Sequence, residues 1–396
     1  MFTGLDQPLT YEPPWEVPFG VRRSWLEGGD RTVAYLYELE DTSTFRYRVF
    51  NMVESLRADA GVATAASWFT RGEFRTDQSF VDRCDILVIC RTRYDDAVAR
   101  LVERARARGV TVLFDVDDLV IDPTYIHFIM DALAVSPDEE HHWDYWFSYI
   151  GRLRATLDLC DGAIATNRTL ADQIERATGG LPCGVVPNFL NRRQTEISDL
   201  VRASKRSTGY ARDGRVLMGY LSGSPTHSRD FEIASPALAA AMDRHRDLDL
   251  RIVGFMEINE HLAPYAHRIE RVPLQDYFNL QRVAAACEVC LAPLVMNAFN
   301  ACKSELKFFE AGIVGCPVLA TPTPAYRDAI TDGVDGFLAT THAWHEQVEA
   351  MYELTADGGP AYESVCAAAL QTSRDRYAWD AQSELITKTH ESLVGH

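Results

Sequence analysis

The chain has 396 residues, 47% hydrophobic and 24% charged, and a formal net charge of -18. That composition predicts a globular chain of two domains, at ~100–200 residues per domain. The acidic balance excludes ordinary nucleic-acid binding and tight adhesion to anionic membranes, because both partners are densely negative.

No run of 18 or more apolar residues occurs, and the opening MFTGLDQPLTYEPPWEVP is polar and proline-rich. Neither a signal peptide nor a transmembrane span is expected. Nine cysteines are scattered, and Cys84, Cys90, Cys287 and Cys290 sit in apolar runs. That usage fits reduced core thiols in a cytoplasmic protein. Cys287-x-x-Cys290 has redox or zinc spacing, but with no second pair it reads as packing.

Residues 1–30 read as an irregular proline-rich arm. Strands are expected at Val33–Tyr37, Ala63–Phe69, Asp85–Cys90, Val110–Phe114, Gly162–Ala165 and Gly184–Pro187. Helices are expected near Tyr47–Ala58, Asp95–Arg108 and Glu139–Leu159. Asp85–Cys90 reads DILVIC, the continuous apolar run of a parallel strand covered on both faces. Tyr125–Leu133 is apolar and looks exposed. The stretch 191–215 is charged and lacks strand signals, which places the domain boundary there. The pattern then restarts, with strands at Val216–Tyr220, Leu250–Val253, Val289–Ala292 and Val318–Ala320. Helices are expected near Phe231–Arg244, Trp344–Thr355, Pro360–Arg374 and Trp379–Leu393. Such alternation predicts doubly wound α/β domains. We divide the chain into 1–200, 201–375 and a final helical segment, 376–396.

The stretch NAFNACKSELKFFEAGIVGCPVLAT, Asn297–Thr321, stands out by composition. Of 39 basic residues only four are lysine, and two of those, Lys303 and Lys307, lie within five residues. A compact ammonium suits point-charge contact with phosphate. The middle of the stretch reads as one helix, stopped by Gly315 and Pro317. On it Lys303, Lys307 and Glu310 would share a face at i, i+4 and i+7. An exposed face with a Lys307–Glu310 pair would give the same pattern.

The loop Ser222–Asp230, SGSPTHSRD, comes after a strand, and open α/β sheets bind ligands at carboxyl strand ends. Gly223 and Ser224 allow close backbone approach, while Thr226, His227, Ser228 and Arg229 offer donors suited to phosphate oxygens. An ordinary turn capped by His227 remains the alternative. The two loops together suit a sugar diphosphate carrying a ribose. No GxGxxG or GxxxxGK[ST] sequence is present. Asp115-Val-Asp117-Asp118 closes another strand and reads either as a site or as turn and helix-cap residues. His141-His142, after two glutamates, reads as a solvated helix start rather than a metal cluster. The seven tryptophans read as core or cleft lining.

These segments resemble the second domain of family-4 glycosyltransferases of the GT-B fold. The matching stretches are MGYLSGSPTHSRDF, VGF, RVPLQDY and LAPLVMNAFNACKSELKFFEAGIVGCPVLATPTPAYRDAITDGVDGFL. VAYLYELEDTSTFRYRVFNMVESL and VTVLFDVDDLVID are similar to the acceptor domain of the KSELKFFE subgroup. The resemblance implies two Rossmann-like domains facing across a cleft, with the C-terminal helix crossing back. It implies a retaining transferase that moves a sugar from a nucleotide-diphosphate sugar to a saccharide or small-molecule hydroxyl, without cofactor or metal.

The family's E-x7-E element falls on Cys302–Glu310, so Glu310 is the implied ribose ligand and Cys302 departs from the pattern. Arg229 and Lys303 take the implied catalytic cationic role. Gly223, Ser224, Thr226, His227, Ser304 and Lys307 complete the donor side. Asp115 is implied as a catalytic residue near the acceptor, with Ser43, Thr44 and Asp117 beside it. Tyr125–Leu133 could then line an acceptor groove, a homodimer contact or, last, a membrane contact.

Overall fold

A computed structural model describes residues 1–58, 64–223 and 228–394. The apolar runs form two six-stranded sheets, and every pairing among their described residues is parallel. The first sheet contains β1 (Arg31–Tyr37), β2 (Thr64–Thr70), β3 (Ile86–Cys90), β4 (Thr111–Val116), β5 (Gly162–Ala165) and β6 (Cys183–Val185), in the order β2-β1-β3-β4-β5-β6. The second contains β7 (Val216–Ser222), β8 (Leu248–Gly254), β9 (Ile269–Val272), β10 (Val289–Ala292), β11 (Val318–Ala320) and β12 (Phe337–Leu338), in the order β12-β11-β10-β7-β8-β9. Each order reverses direction once, between β1 and β3 and between β7 and β10. Those two switch points are where open sheets leave a crevice at the carboxyl ends.

The chain termini exchange domains. The proline-rich arm, assigned above to the first domain, lies along the second. Asn279 Nδ2 donates to Leu9 O at 2.9 Å, Leu9 N donates back to Asn279 Oδ1 at 2.9 Å, and Arg282 Nη1 donates to Leu5 O at 2.7 Å. Trp15 stacks on Tyr277 of the second domain (5.8 Å, 23°) and meets Phe45 and Phe50 of the first edge-on, at 5.6 and 5.4 Å. At the other end, helix Ser383–Leu393 packs on the first sheet. His390 Nε2 lies 3.2 Å from Tyr35 Oη, and Arg31 pairs with Glu391 at 2.9 Å. One buried apolar cluster consequently runs from Phe2 and Trp15 through both domains to Ile386 and Leu393.

The boundary segment is itself ordered. Asn191 caps helix Arg192–Ser207 by accepting from Gln194 N at 2.6 Å, and this helix packs on helix Tyr277–Ala285. Tyr125–Leu133 also differs from its expected exposure: helix Ile126–Ala132 buries Ile126, Ile129 and Met130 in the first-domain core. Periodicity alone could not tell a core turn from a surface groove. Among the described residues no helix is long and apolar enough to cross a membrane.

Candidate active site

The carboxyl edge of the first sheet carries a dense ionic network. Helix formation after β1 begins at Ser43, passes through a π-helical stretch at Arg46–Phe50 and continues to Ala58. A π segment re-aims side chains relative to a regular helix, and here it delivers Tyr47 and Arg48 inward. Arg48 grips Asp115 bidentately, Nε to Oδ1 and Nη2 to Oδ2, both at 2.8 Å, with exposures of 0% and 1%. Arg48 Nη1 also donates to Val186 O at 2.7 Å. Burial pushes the Asp115 carboxyl above its ordinary range against the pull of Arg48. The expected cleft-facing role of Asp115 is therefore corrected: both oxygens are spent on a buried guanidinium. Such a pair fixes geometry, and losing one partner costs ~3–5 kcal/mol.

Its neighbours do face the edge. Arg91, just past β3, holds a left-handed backbone (φ 37°). Its Nη1 donates to Asp117 Oδ1 at 2.7 Å and Asp118 Oδ2 at 3.0 Å. Burial opposes its charge, but Asp117, Tyr149 and Asp118 outweigh that and hold its pKa well above the usual arginine value. Thr44 Oγ1 donates to Asp117 Oδ2 at 2.6 Å, and Ser43 stands exposed beside it. Strained backbone at a strand end is a recurring mark of functional sites.

On the second domain, the expected single helix is two. Asn297 caps Ala298–Ala301, and a new helix runs Leu306–Gly312, with Lys303 and Ser304 in the break. Lys303 and Glu310 accordingly do not share one helical face. The break lies across the carboxyl edge of the first domain, and three polar links hold it there. Asn167, after β5, donates to Cys302 O at 2.8 Å; Asn188, after β6, donates to Ser304 Oγ at 3.0 Å; Lys303 Nζ lies 3.7 Å from Asp118 Oδ1. Lys303 also sits over the Phe299 ring, 4.7 Å from its centroid. Phe299 and Cys302 belong to the first-domain apolar cluster rather than to that of their own sheet. Burial, with Asp118 adding to it, pushes the Cys302 thiol up to about 12.

Of the other residues expected on the donor side, the structure describes Gly223, Arg229, Lys307 and Glu310. Asp230 accepts from Val295 N and Asn300 Nδ2, both at 2.8 Å, and so ties the start of helix Ser228–Glu232 to the loop after β10. Arg229, half exposed, pairs with Asp131 of the first domain at 2.8 Å. Burial lowers the Lys307 pKa although Glu310 opposes the shift. Among the described residues no carboxylate lies within ion-pair distance of Lys307. Glu310 is buried and accepts a short hydrogen bond from Tyr47 of the first domain. Gly223 is exposed at the end of β7, while Ser224, Thr226 and His227 lie outside the described residues.

Sequence reasoning missed Arg91, Asp131, Tyr47, Asn167 and Asn188. It also missed three exposed apolar side chains that follow β8, β9 and β10: Phe255, Leu274 and Met296, which are 52%, 52% and 50% exposed. A signal existed, since Phe255 and Leu274 sit in the VGF and RVPLQDY segments. Among the described residues, one group of metal-ligating type has its ligand atoms mutually within 4.8 Å: Glu139, His141 and His142, on a largely exposed helix start.

Comparison with known proteins agrees with this geometry. Residues 223–357 match the family model described as Glycosyl transferases group 1. Anabaena HepE, solved with UDP-glucose, superposes with a TM-score of 0.60 at 14% identity, over 91% of this chain and 99% of that one. Sucrose-phosphate synthase from Thermosynechococcus elongatus gives 0.58 at 15% identity, over 92% and 99%. A glycosyltransferase from Rickettsia africae gives 0.61 at 11% identity, over 93% and 100%. No curated protein sequence matches significantly. At these identities the structural likeness establishes the fold alone, and the family model covers residues 223–357 only. Residues 223–357 thus resemble the group 1 glycosyl transferases, within a chain that has the two-domain GT-B fold of these structures.

Proposed function

We propose that this protein is a retaining glycosyltransferase that moves a sugar from a nucleotide-diphosphate sugar to a hydroxyl of a glycan or small-molecule acceptor. The observation that carries the reading is that Lys303 and Arg229, cations of the second domain, meet carboxylates of the first domain at the junction of the two carboxyl edges. A diphosphate entering there exchanges Asp118 and Asp131 for phosphate oxygens as partners of these cations. The exposed Phe255 and Leu274 side chains offer apolar contact to the nucleobase, and Glu310 is the ribose ligand. HepE, solved with UDP-glucose, supports the donor class.

Catalysis on this reading is electrostatic. As the sugar–phosphate C–O bond breaks, negative charge develops on the leaving diphosphate, and preorganised cations stabilise it more than they stabilise the bound donor. The acceptor oxygen bonds to the same carbon from the same face, and its proton passes to the leaving phosphate. Asp115, locked by Arg48, is no nucleophile. Side chains neutralise the leaving group, so activity is expected to persist in EDTA. Release of a nucleoside diphosphate from UDP-, GDP-, ADP- or TDP-linked sugars, followed with and without chelator, tests the reading; no release from any of them would overturn it.

A further inference from the structure

The crossover helix Glu140–Leu157 carries five aromatic residues in seven positions near its start, reading WDYWFSY. A helix between parallel strands runs antiparallel to them, so its N-terminal turns lie at the carboxyl edge of the sheet. Trp143, Trp146 and Tyr149 are partly buried and pack against the first-domain core, whereas Tyr145 is 57% exposed and Phe147 50%. Tyr145 and Tyr149 are nearly parallel (19°) with centroids 6.3 Å apart. The Arg93 guanidinium lies over Tyr149, 5.5 Å from its centroid, and itself grips Glu38 at the end of β1 at 2.8 and 2.7 Å. Arg93 stands two residues beyond Arg91, so the aromatic surface adjoins the Arg91–Asp117 edge.

Beyond Arg93 the surface opens into a cavity of about 620 Å³ lined by Tyr94, Arg75 and Arg100 among others. The backbone of Tyr94 is tied to Arg152 of the aromatic helix by two 2.9 Å hydrogen bonds. Of the cavity's guanidinium groups, Arg75 lies 2.5 Å from Asp95, which also pairs with Arg71 at 2.6 Å, and Arg100 lies 3.8 Å from Asp96. The helix itself has Glu139 as its cap, then Glu140 and Asp144, and no cation before Arg152. At this acidic helix start an anionic bilayer or an anionic glycan would meet repulsion. A neutral sugar ring offers C–H faces for aromatic planes and hydroxyls for the surrounding charged groups, and the cavity falls within the about 300–1,000 Å³ range of small-ligand sites.

We propose that the acceptor is a glycan of at least two rings without negative charge, lying from the Arg91–Asp117 pair across Tyr149 and Tyr145 to the cavity beside Tyr94. The proposal rests on the transferase reading above and names its acceptor class. It is tested with the full chain on a printed array of neutral, amino-, carboxylated and sulfated glycans, alongside phosphatidylglycerol vesicles and sedimentation. Neutral or amino glycans of two or more rings should bind, and Tyr145→Ala should weaken them about tenfold while Tyr145→Phe retains them, as expected for loss of one ring contact. Tyr145 is largely exposed, so the melting temperature should not move. Absent glycan binding, preference for anionic glycans, vesicle capture or self-association through this face, or an indifferent Tyr145→Ala would each overturn the proposal. Binding of UDP, GDP, ADP or TDP to the same preparation separates the two readings: nucleotide binding without glycan binding removes the groove alone, and binding of neither removes the transferase reading as well.

Discussion

Cys302 stands where the sequence resemblance implies a glutamate, and its packing disfavours a carboxylate there. The position is fully buried among first-domain residues such as Leu119 and Ile126, with Asp118 near enough to raise its pKa. A carboxylate there would lose its hydration and face a like charge, two effects that both penalise ionisation. Cys302→Glu is expected to lower stability by about 2 kcal/mol or more, read from the urea midpoint. An unchanged midpoint would mean the position opens to the cleft after all. The lysines were legible in the sequence because lysine is scarce in this chain. Arg91 and Arg48 were not, since nothing distinguishes them among many arginines until the fold brings Asp115 and Asp117 beside them.

At the scale of elements, the buried parallel strands were readable because continuous apolar runs have few other meanings. The missed strands, β9 and β12, are short and partly exposed. Helix Arg192–Ser207 was missed because its buried apolar residues are few, Ile197 and Val201 among charged neighbours. The break at Lys303 was hidden by good helical spacing on either side, and Asn167 of the first domain donates to the Cys302 and Lys303 carbonyls that the break leaves open. Helix Leu306–Gly312, beyond the break, is tightly seated. A Cβ added at Gly312 would lie 2.2 Å from Ser373 Oγ and 2.9 Å from Ala369 O of helix Pro360–Tyr377. Gly312→Ala should therefore cost about 1–3 kcal/mol by overpacking, and Ser373→Ala in the same chain should restore only part, because the backbone carbonyl remains. Thermal unfolding of the wild type and the two variants checks both parts; full rescue would contradict the helix contact.

The whole molecule is stapled by its exchanged ends, and one staple is pH-sensitive. Burial, reinforced by Arg31, holds the His390 imidazole down to about 3 from an ordinary 6.5. The unfolded chain then binds this proton and the folded one does not, so the stabilisation is complete above pH about 6.5 and is lost as pH falls toward 3. By about pH 5 the loss from this group is on the order of 2 kcal/mol. His390→Leu should show a smaller fall in melting temperature between neutral pH and about pH 5; an equal fall would assign the acid sensitivity elsewhere.

The two-domain sheet order was legible as alternation, whereas the arm's place on the second domain was not, because contacts such as Leu9–Asn279 join residues remote in sequence. The same convergence of remote residues makes the site, where both domains' cations and carboxylates meet. Titration calorimetry of UDP, GDP, ADP and TDP into the wild-type chain and Lys303→Ala probes that convergence most directly. The account predicts that one nucleoside diphosphate binds the wild type and binds Lys303→Ala at least about tenfold more weakly, with unfolding unchanged, as for loss of one charge-assisted phosphate contact. No binding to the wild type, or equal affinity for both chains, would contradict it.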